Sequence, residues 1–240
     1  MIIMLTLVSL EINKLKRSKI MYVCIGTMFL FFLCAAAQGL KSNYSAHRIM
    51  EDTLTYSTFL IFPALLAVIG SYMIGKEFEE DTMKNILIIP VNFARLAAAK
   101  LITTLIIGIA MSLFLFLFTI ITCGIATSRE VTAVFVLVGL KNYILQAIGC
   151  FLAVVPIISA AATVKNGYLI SVVITEIYSF AGLFAASSNY RDLYPISAAF
   201  GFSGAVGRVR LTENLICGLV LLACLAAGLI ILKIKQSSEK

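Results

Sequence analysis

Charged residues are scarce in this sequence. Only 13% of its 240 residues are charged and 61% are hydrophobic, whereas an ordinary soluble domain is about 25% charged and about 45–50% apolar. So few charges cannot cover the surface of a soluble globule of this size, and so apolar a chain falls outside the disordered class. The composition therefore indicates an integral membrane protein and excludes an ordinary cytosolic enzyme domain.

Residues that commonly bind metals or form disulfide frameworks are also few. His47 is the only histidine, and the six cysteines lie within apolar segments without any CxxC pair. Such cysteines are expected to be small buried thiols rather than metal ligands or disulfide partners. We therefore predict no metal site and no cofactor. The short alternating segments of a membrane barrel are absent too, which leaves helices as the spanning elements.

Six apolar runs are long enough to cross a bilayer, for which a helix needs about 20 residues. They predict spans at 20–40, 54–75, 101–125, 142–164, 167–187 and 214–232. A polar loop is expected at 41–53. The apolar run 131–140 is too short to cross alone, so its status stays open. The predicted fold class is an all-α membrane protein with six transmembrane helices and a single domain over 1–240.

The basic residues indicate the orientation of the chain. Lysine and arginine are more frequent in the segments that would face the cytoplasm if both termini are inside, and the strongest cluster is Lys14, Lys16, Arg17 and Lys19. We therefore predict an N-in, C-in topology. Short loops next to anionic lipid explain the net charge of +7, so no nucleic-acid partner is expected. Because the basic cluster follows an apolar stretch, no signal peptide is expected either.

Residues 1–19 have the pattern of an amphipathic helix. Five polar residues fall on one helical face: Thr6, Ser9, Asn13, Lys16 and Arg17. Most of the others are apolar, so the pattern predicts a helix in the membrane interface. Glu11 interrupts the apolar face, and Lys14 is placed to pair with it. The alternative is that this segment is only the start of the first span.

The most polar stretch of the chain is 76–100, between the second and third spans. Asp81 or Thr82 can cap a short helix there. The acidic residues at its start suit the positive end of the helix dipole: Glu79, Glu80 and Asp81. Three side chains then form one apolar stripe: Met83, Ile86 and Leu87. Pro90 ends the helix. This pattern predicts a short amphipathic cytoplasmic helix that docks to a soluble partner.

The same stretch resembles the permease subunits of ABC-2 type transporters, and in particular the small permeases of lantibiotic-immunity and bacitracin-type peptide transporters. The matching residues are Glu77, Glu79, Thr82, Lys84, Leu87, Pro90 and, at the start of the third span, Lys100. A second match lies before the first span, at Glu11, Lys14 and Arg17. Asp81 stands where the family usually has glycine, and Phe93 where arginine is common.

The resemblance implies a function and a set of partners. It makes 76–100 the coupling segment that receives the motion of two cytoplasmic ABC ATPases, with the chain paired to a second permease copy or a paralogue in the bacterial plasma membrane. The chain itself is not expected to be an enzyme. Gly70 to Glu77 fits part of a phosphate-binding loop, but Glu77 stands where serine or threonine must bind magnesium.

The predicted spans contain one carboxyl group and two prolines, which are unusual inside a membrane helix. A carboxyl such as Glu176 at membrane depth costs roughly 2.5–3.5 kcal/mol on insertion scales, so it should face the protein interior. It is either a substrate or gating contact, or a structural glutamate. Pro63 and Pro156 are each expected to kink their helices.

The segment 188–212 lies between the last two predicted spans. Its uncharged stretch 193–207 contains Pro195 and three glycines, and it is too short and too broken to span the membrane. We predict a re-entrant or interfacial pair of helices on the outer side, which resembles the outer hairpin of the ABC-2 family. The alternative is an ordinary hydrophobic loop.

The sequence thus predicts the membrane permease of an ABC exporter for a hydrophobic or peptide antibiotic-like substrate. One alternative is a scaffold or sensor subunit that transports nothing. A second is an intramembrane protease, because Glu79 and Glu80 are adjacent carboxylates. A protease would need further groups at membrane depth, and His47 is expected in a loop on the other side.

Overall fold

The computed structural model describes residues 2–41, 44–79, 93–161, 164, 167–205 and 211–238, and within them the regular structure is helical. The elements are α1 Ile2–Lys16, α2 Lys19–Lys41, α3 Ala46–Tyr56, a π-helical turn Ser57–Ile61, α4 Phe62–Glu79, α5 Phe93–Thr127, a 3-10 turn Ser128–Glu130, α6 Ala133–Ala161, α7 Gly167–Ala186, α8 Pro195–Ser203 and α9 Leu211–Ser238.

Among the described residues, six helical stretches are long and apolar enough to cross a membrane: α2, α3 with α4, α5, α6, α7 and α9. The predicted number of spans is therefore confirmed. Gly39 near the end of α2 lies against Ile49 near the start of α3, so the first two spans run in opposite directions. The contacts of Gly70 with Ile158 and of Gly228 with Val155 join the second halves of their spans, so the second, fourth and sixth spans run in the same direction. The described chain therefore begins and ends on the same side of the bundle. We call this side the α1 end. It contains α1, the last turns of α4 and the first turns of α5.

The interior of the bundle is formed by the α3–α4 span and by α6. In the most apolar 18 residues of these two spans, 72% and 61% of the residues are buried, against 11% in the corresponding stretch of α2. The helix α6 contacts α4, α5, α7, α8 and α9. By contrast, α2 lies at the edge of the bundle, mainly against α5. Its outward face is left for lipid or for another protein.

The predicted polar loop at 41–53 is wrong for its second half, because α3 begins at Ala46. Ser45 accepts a hydrogen bond from the Arg48 amide (3.3 Å), and the Glu130 carboxylate accepts one from the Ala46 amide (2.7 Å). Such partners satisfy the free N–H groups of a helix start. The buried face of α3 contains Ile49 and Leu54. Because charged residues occupy its other face, an average of hydropathy over this segment does not reveal the helix.

The fourth span starts earlier than predicted, because 133–140 continues into it without a break. The helix α6 runs from Ala133 to Ala161, with Pro156 inside it. Lys141 is exposed, whereas Asn142 and Tyr143 are buried. Lys141 thus lies on the outer face of an uninterrupted helix. The structure settles the status of 131–140: most of this run is the first part of the fourth span.

Between the last two spans lies the short helix α8, at the side of the bundle opposite the α1 end. Pro195 occupies its first turn, and Gly204, with a φ of 78°, ends it in the left-handed conformation that favours glycine. Its nine residues extend about 13 Å, too little to cross a bilayer. A Cβ on Gly149 of α6 would lie 3.0 Å from the Cβ of Ala199, so α8 packs closely on α6. A second helix of the predicted pair would have to include 206–210, which lie outside the described residues.

Candidate functional site

A buried ion pair joins α1 to α5. The Oε2 atom of Glu11 lies 3.4 Å from Nζ of Lys100, and both side chains are almost fully buried. Glu11 also pairs with Lys14 through Oε1 at 3.2 Å, with the Lys14 side chain largely exposed. The pairing of Glu11 with Lys14 was expected from their spacing. A carboxylate shared by two ammonium groups is a favourable arrangement for a buried charge.

Lys100 also binds the end of the second span. Its ammonium donates a hydrogen bond to the backbone carbonyl of Met73 in α4. One turn further along α5, the Thr104 hydroxyl lies 3.7 Å from the Met73 sulfur and donates to the Lys100 carbonyl at 2.9 Å. Three helices therefore meet at Lys100: α1 through Glu11, α4 through Met73, and α5 itself. We call Glu11, Met73 and Lys100 the coupling junction.

The packing of α1 agrees with the predicted amphipathic pattern. The buried positions Val8, Glu11 and Leu15 follow the period of one helical face. The five residues of the predicted polar face are exposed: Thr6, Ser9, Asn13, Lys16 and Arg17. Glu11 is thus the one carboxylate on the face that α1 buries. Its partner Lys100 makes that position tolerable, because an unpaired charge there would lose its hydration without compensation.

The predicted coupling segment joins the two helices that Lys100 links. Glu77 and Glu79 belong to the last turn of α4. The remaining predicted coupling residues lie outside the described residues: Glu80, Thr82, Met83, Lys84, Ile86, Leu87 and Pro90. The chain leaves α4 at Glu79 and returns in α5 at Phe93. Any force on the intervening segment must therefore pass into α4 and α5.

A lateral groove of about 380 Å³ opens between α2, α4 and α7. Most of its lining is apolar, and the polar groups are those of Thr27, Tyr168 and Glu176. At the α1 end, Tyr168 makes an edge-to-face contact with Tyr72 (5.8 Å between centroids), and the Lys76 ammonium lies 5.6 Å from the Tyr72 ring centroid. The groove thus combines apolar walls with a few polar groups, as ligand sites commonly do.

Glu176 lies in this groove, half-buried, rather than in the protein interior where it was expected. Nine residues separate it from the start of α7 at Gly167, which places it about 13 Å along the helix. That depth is near the middle of a hydrocarbon core about 30 Å thick. In the described part of the chain, no side chain forms an ion pair or hydrogen bond with its carboxyl group. The group is accessible to whatever occupies the groove.

The opposite face of α7 packs on the bundle through small residues. Ser171, Thr175, Ser179 and Gly182 are buried at helical spacing. The Ser171 hydroxyl lies 2.8 Å from that of Ser71 in α4. Small residues let helices approach closely inside a membrane, and hydroxyl pairs add to their association. This contact fixes the rotation of α7 and so directs Glu176 toward the groove.

A polar cluster crosses the interior at the π-helical turn of the second span. The Gln146 amide nitrogen of α6 donates to the hydroxyls of Ser57 (2.6 Å) and Thr58 (2.8 Å) and to the Leu54 carbonyl (3.3 Å). A π-helical turn disturbs the regular backbone ladder, and Gln146 binds a carbonyl at that point. Pro63 follows directly, where a helix bend was predicted.

Most of these buried contacts leave no local signal in the sequence from which they could be predicted. Lys100 appears in the family pattern, but nothing local connects it to Glu11 or to the Met73 carbonyl. Gln146 carries a detectable signal, because an amide inside an apolar span needs a buried partner. His47 was expected in a loop, but it lies in α3 with its ring edge-to-face on Phe135 at 4.9 Å. In the described residues no group of three potential ligands is arranged to hold a metal ion.

This chain is similar to a known protein family and to a known permease. The sequence model of a family described as ABC-2 family transporter protein matches residues 7–182. The chain is also 30% identical over 150 residues to the bacitracin transport permease protein BCRB of Bacillus licheniformis, which covers 62% of this chain and 72% of that protein. The coupling junction and Glu176 all lie within the residues that match the family.

Proposed function

This chain belongs to the ABC-2 family of transporter proteins, and on that premise we propose that it is the membrane subunit of an ATP-driven exporter. It is a permease of the ABC-2 type and a multi-pass protein of the bacterial cell membrane. ATP hydrolysis takes place on separate subunits, and this chain contributes no catalytic residue. Its termini lie in the cytoplasm, so that the α1 end meets the ATPases.

The observation that carries this proposal is the coupling junction. Lys100 binds α1 through Glu11 and α4 through the Met73 carbonyl, about two helical turns from the points where the segment 80–92 leaves α4 and joins α5. An ATPase that pushes this segment moves α4 and α5, and the ion pair makes α1 move with them. Because α1 continues into α2 within three residues, the motion also reaches the first span.

The partners follow from this arrangement. We propose two ATPase subunits and a second permease, either another copy of this chain or a paralogue. The stripe of Met83, Ile86 and Leu87 contacts the ATPase, and the acidic group of Glu77, Glu79 and Glu80 sets the position of that contact. The outward faces of α2 and α7 are available to the second permease or to substrate.

The proposed substrate is a hydrophobic or peptide antibiotic-like molecule, which the transporter removes from the membrane or the cell. The lateral groove supports this substrate class, because it opens toward the surrounding bilayer and contains one carboxylate among apolar walls. A relative is named for bacitracin transport. Glu176 then interacts with a polar or cationic group of the substrate while the apolar walls hold the rest.

Co-purification tests the coupling part of the proposal. The permease is produced together with a candidate ABC ATPase, and the complex is isolated in mild detergent through a tag on the permease. We expect Leu87→Asp to abolish the complex and Glu79→Ala to weaken it, while Leu219→Ala, at an exposed position on α9, leaves it intact. A stable complex with both coupling variants would refute the coupling assignment.

Resistance of living cells tests the transport part. A bacitracin-sensitive host that expresses both subunits should survive higher concentrations of peptide antibiotic than a host with either subunit alone. An ATPase variant unable to hydrolyse ATP supplies the control. If the pair binds normally but resistance never depends on ATP hydrolysis, the chain is a scaffold or sensor rather than a permease that exports these peptides.

A further inference from the structure

A second groove lies between α2 and α5, on the other side of α2 from the groove that contains Glu176. Its volume is about 230 Å³, and the described residues that line it are apolar: Met21, Ile25, Met28, Ile107, Ala110, Met111 and Phe114. This lining cannot orient a polar ligand. Three methionines give it a flexible surface that adapts to an irregular apolar chain.

Aromatic rings close one end of this groove. Phe114 contacts Phe118 with 4.5 Å between centroids, and Phe118 contacts Phe32 at the same distance. Phe29 packs on Phe118 at 6.2 Å. These four rings fill the space between α2 and α5 beyond Met28 and Phe114. The open length of the groove along α2, from Met21 to Met28, is therefore about 10 Å.

Basic residues lie at the other end of the groove, where α1 passes into α2. Lys16, Arg17 and Lys19 are exposed there, two to five residues before Met21. The start of α2 adds the positive end of a helix dipole. Ser18 accepts a hydrogen bond from the Ile20 amide, so the turn that carries these residues has a defined structure. Positive charge and apolar groove are thus adjacent, at the α1 end of the bundle.

We propose that this groove binds one acyl chain of an anionic phospholipid whose phosphate lies against Lys16, Arg17 and Lys19. Basic residues next to a membrane span attract anionic lipid headgroups. An acyl chain needs no hydrogen bond from the groove and gains from burial against its walls. This site is separate from the groove of the proposed transport function and does not depend on it.

Other occupants fit the groove less well. A helix of a second protein, with a diameter of about 10–12 Å, could occupy a cleft of about 230 Å³ only through individual side chains. An extended peptide would place its backbone N–H and C=O groups against an apolar lining without hydrogen-bond partners. A soluble phosphate compound would use the basic residues but leave the groove empty. An anionic phospholipid uses both features.

Native mass spectrometry of the full chain in mild detergent tests the site. The purified protein is titrated with dioleoyl phosphatidylglycerol and, separately, with dioleoyl phosphatidylcholine. We expect the wild type to bind the anionic lipid at least several-fold more tightly. The double variant Arg17→Gln/Lys19→Gln should weaken phosphatidylglycerol binding about 25-fold, because each basic residue near a membrane surface contributes roughly a factor of five.

A matched double variant provides the charge control. Arg129→Gln/Lys141→Gln removes two exposed basic residues at the other end of the bundle and should leave phosphatidylglycerol binding unchanged. An equal loss with this control would overturn the proposal, since it would show attraction to net charge alone. Equal binding of the two lipids by the wild type would also overturn it. Excess inorganic phosphate should not displace the lipid; displacement would show that the basic residues bind free phosphate instead.

Filling the groove tests the acyl chain separately from the headgroup. Ala110 is exposed in the groove wall, and Ala110→Phe should lower binding of both lipids without unfolding the protein. Ala223→Phe adds the same ring at an exposed position of α9 and should have no effect. If Ala110→Phe binds phosphatidylglycerol as tightly as Ala223→Phe does, the groove is not the acyl-chain site.

Discussion

Glu11 and Lys100 are 89 positions apart in the sequence, and their charged groups lie 3.4 Å from each other in the buried junction of α1 with α5. Lys100 also binds the Met73 carbonyl, so the pair connects the first amphipathic helix with both helices that flank the proposed coupling segment. A buried pair of this kind is costly to break, because the remaining charge stays without hydration. The arrangement suits a transporter that must pass motion among several helices.

The first prediction concerns the interaction energy between Glu11 and Lys100. A double-mutant cycle with Glu11→Gln and Lys100→Met should give an interaction energy of about 1–3 kcal/mol. Stability is measured by thermal or denaturant unfolding in detergent with a thiol-reactive dye, since Cys24, Cys123 and Cys150 are buried in the folded protein. The exposed pair Arg48–Asp52, at 3.0 Å, is the control and should show a much smaller coupling. Equal coupling in the two cycles would contradict the proposed importance of the junction.

Glu176 gives the second prediction. Glu176→Gln keeps the size of the side chain but removes its charge, so expression should be normal while peptide resistance falls. Resistance is compared at matched protein level with the variant Glu51→Gln, which removes an exposed carboxylate on α3. If Glu176→Gln cells are as resistant as wild type, the glutamate is structural rather than a substrate contact.

Gln146 gives the third prediction. Gln146→Leu removes an amide donor that the Ser57 and Thr58 hydroxyls and the Leu54 carbonyl share, and a buried group that loses its partner costs about 1–3 kcal/mol. The melting temperature should fall by several degrees. Ile157→Leu, at a partly buried position further along α6, serves as a mild comparison. A melting temperature equal to that of Ile157→Leu would mean that the hydroxyls of Ser57 and Thr58 hold the turn without Gln146.

The orientation of the chain gives the fourth prediction. With both termini in the cytoplasm, a membrane-impermeant maleimide should label Arg129→Cys in intact cells, because Arg129 is exposed between α5 and α6. Asn13→Cys, exposed on α1, should react only after permeabilisation. Replacing Cys34, the exposed native cysteine, lowers the background. The opposite labelling pattern would reverse the topology and place the α1 end outside the cell.

The sequence was most informative where the relevant signal is local. The apolar runs located all six spans, since the cost of placing a segment in hydrocarbon is nearly the sum of its residues. The amphipathic period of α1 predicted its exposed and buried faces, and the spacing of Glu11 and Lys14 predicted their pair. The pattern from Glu77 to Pro90 led to the family that the comparisons show.

Hydropathy averaging failed wherever polar residues lie on the exposed face of a helix whose other face is buried. The charged residues of α3 made 46–53 resemble a loop, and Lys141 made one span resemble two segments. In both places a helix places its charges on one side and packs the other against neighbouring spans. A hydropathy average adds both sides together and so loses the helical period that distinguishes them.

By itself, the sequence determined the class of this protein, the number of its spans and its family, because these depend on composition and short patterns. Only the tertiary structure decided which distant residues meet. It brought Lys100 to Glu11 and Met73, placed Gln146 at the π-helical turn and put Glu176 in a lateral groove instead of the core. Such contacts depend on how helices rotate and pack against one another, and packing is a property of the whole bundle rather than of any segment within it.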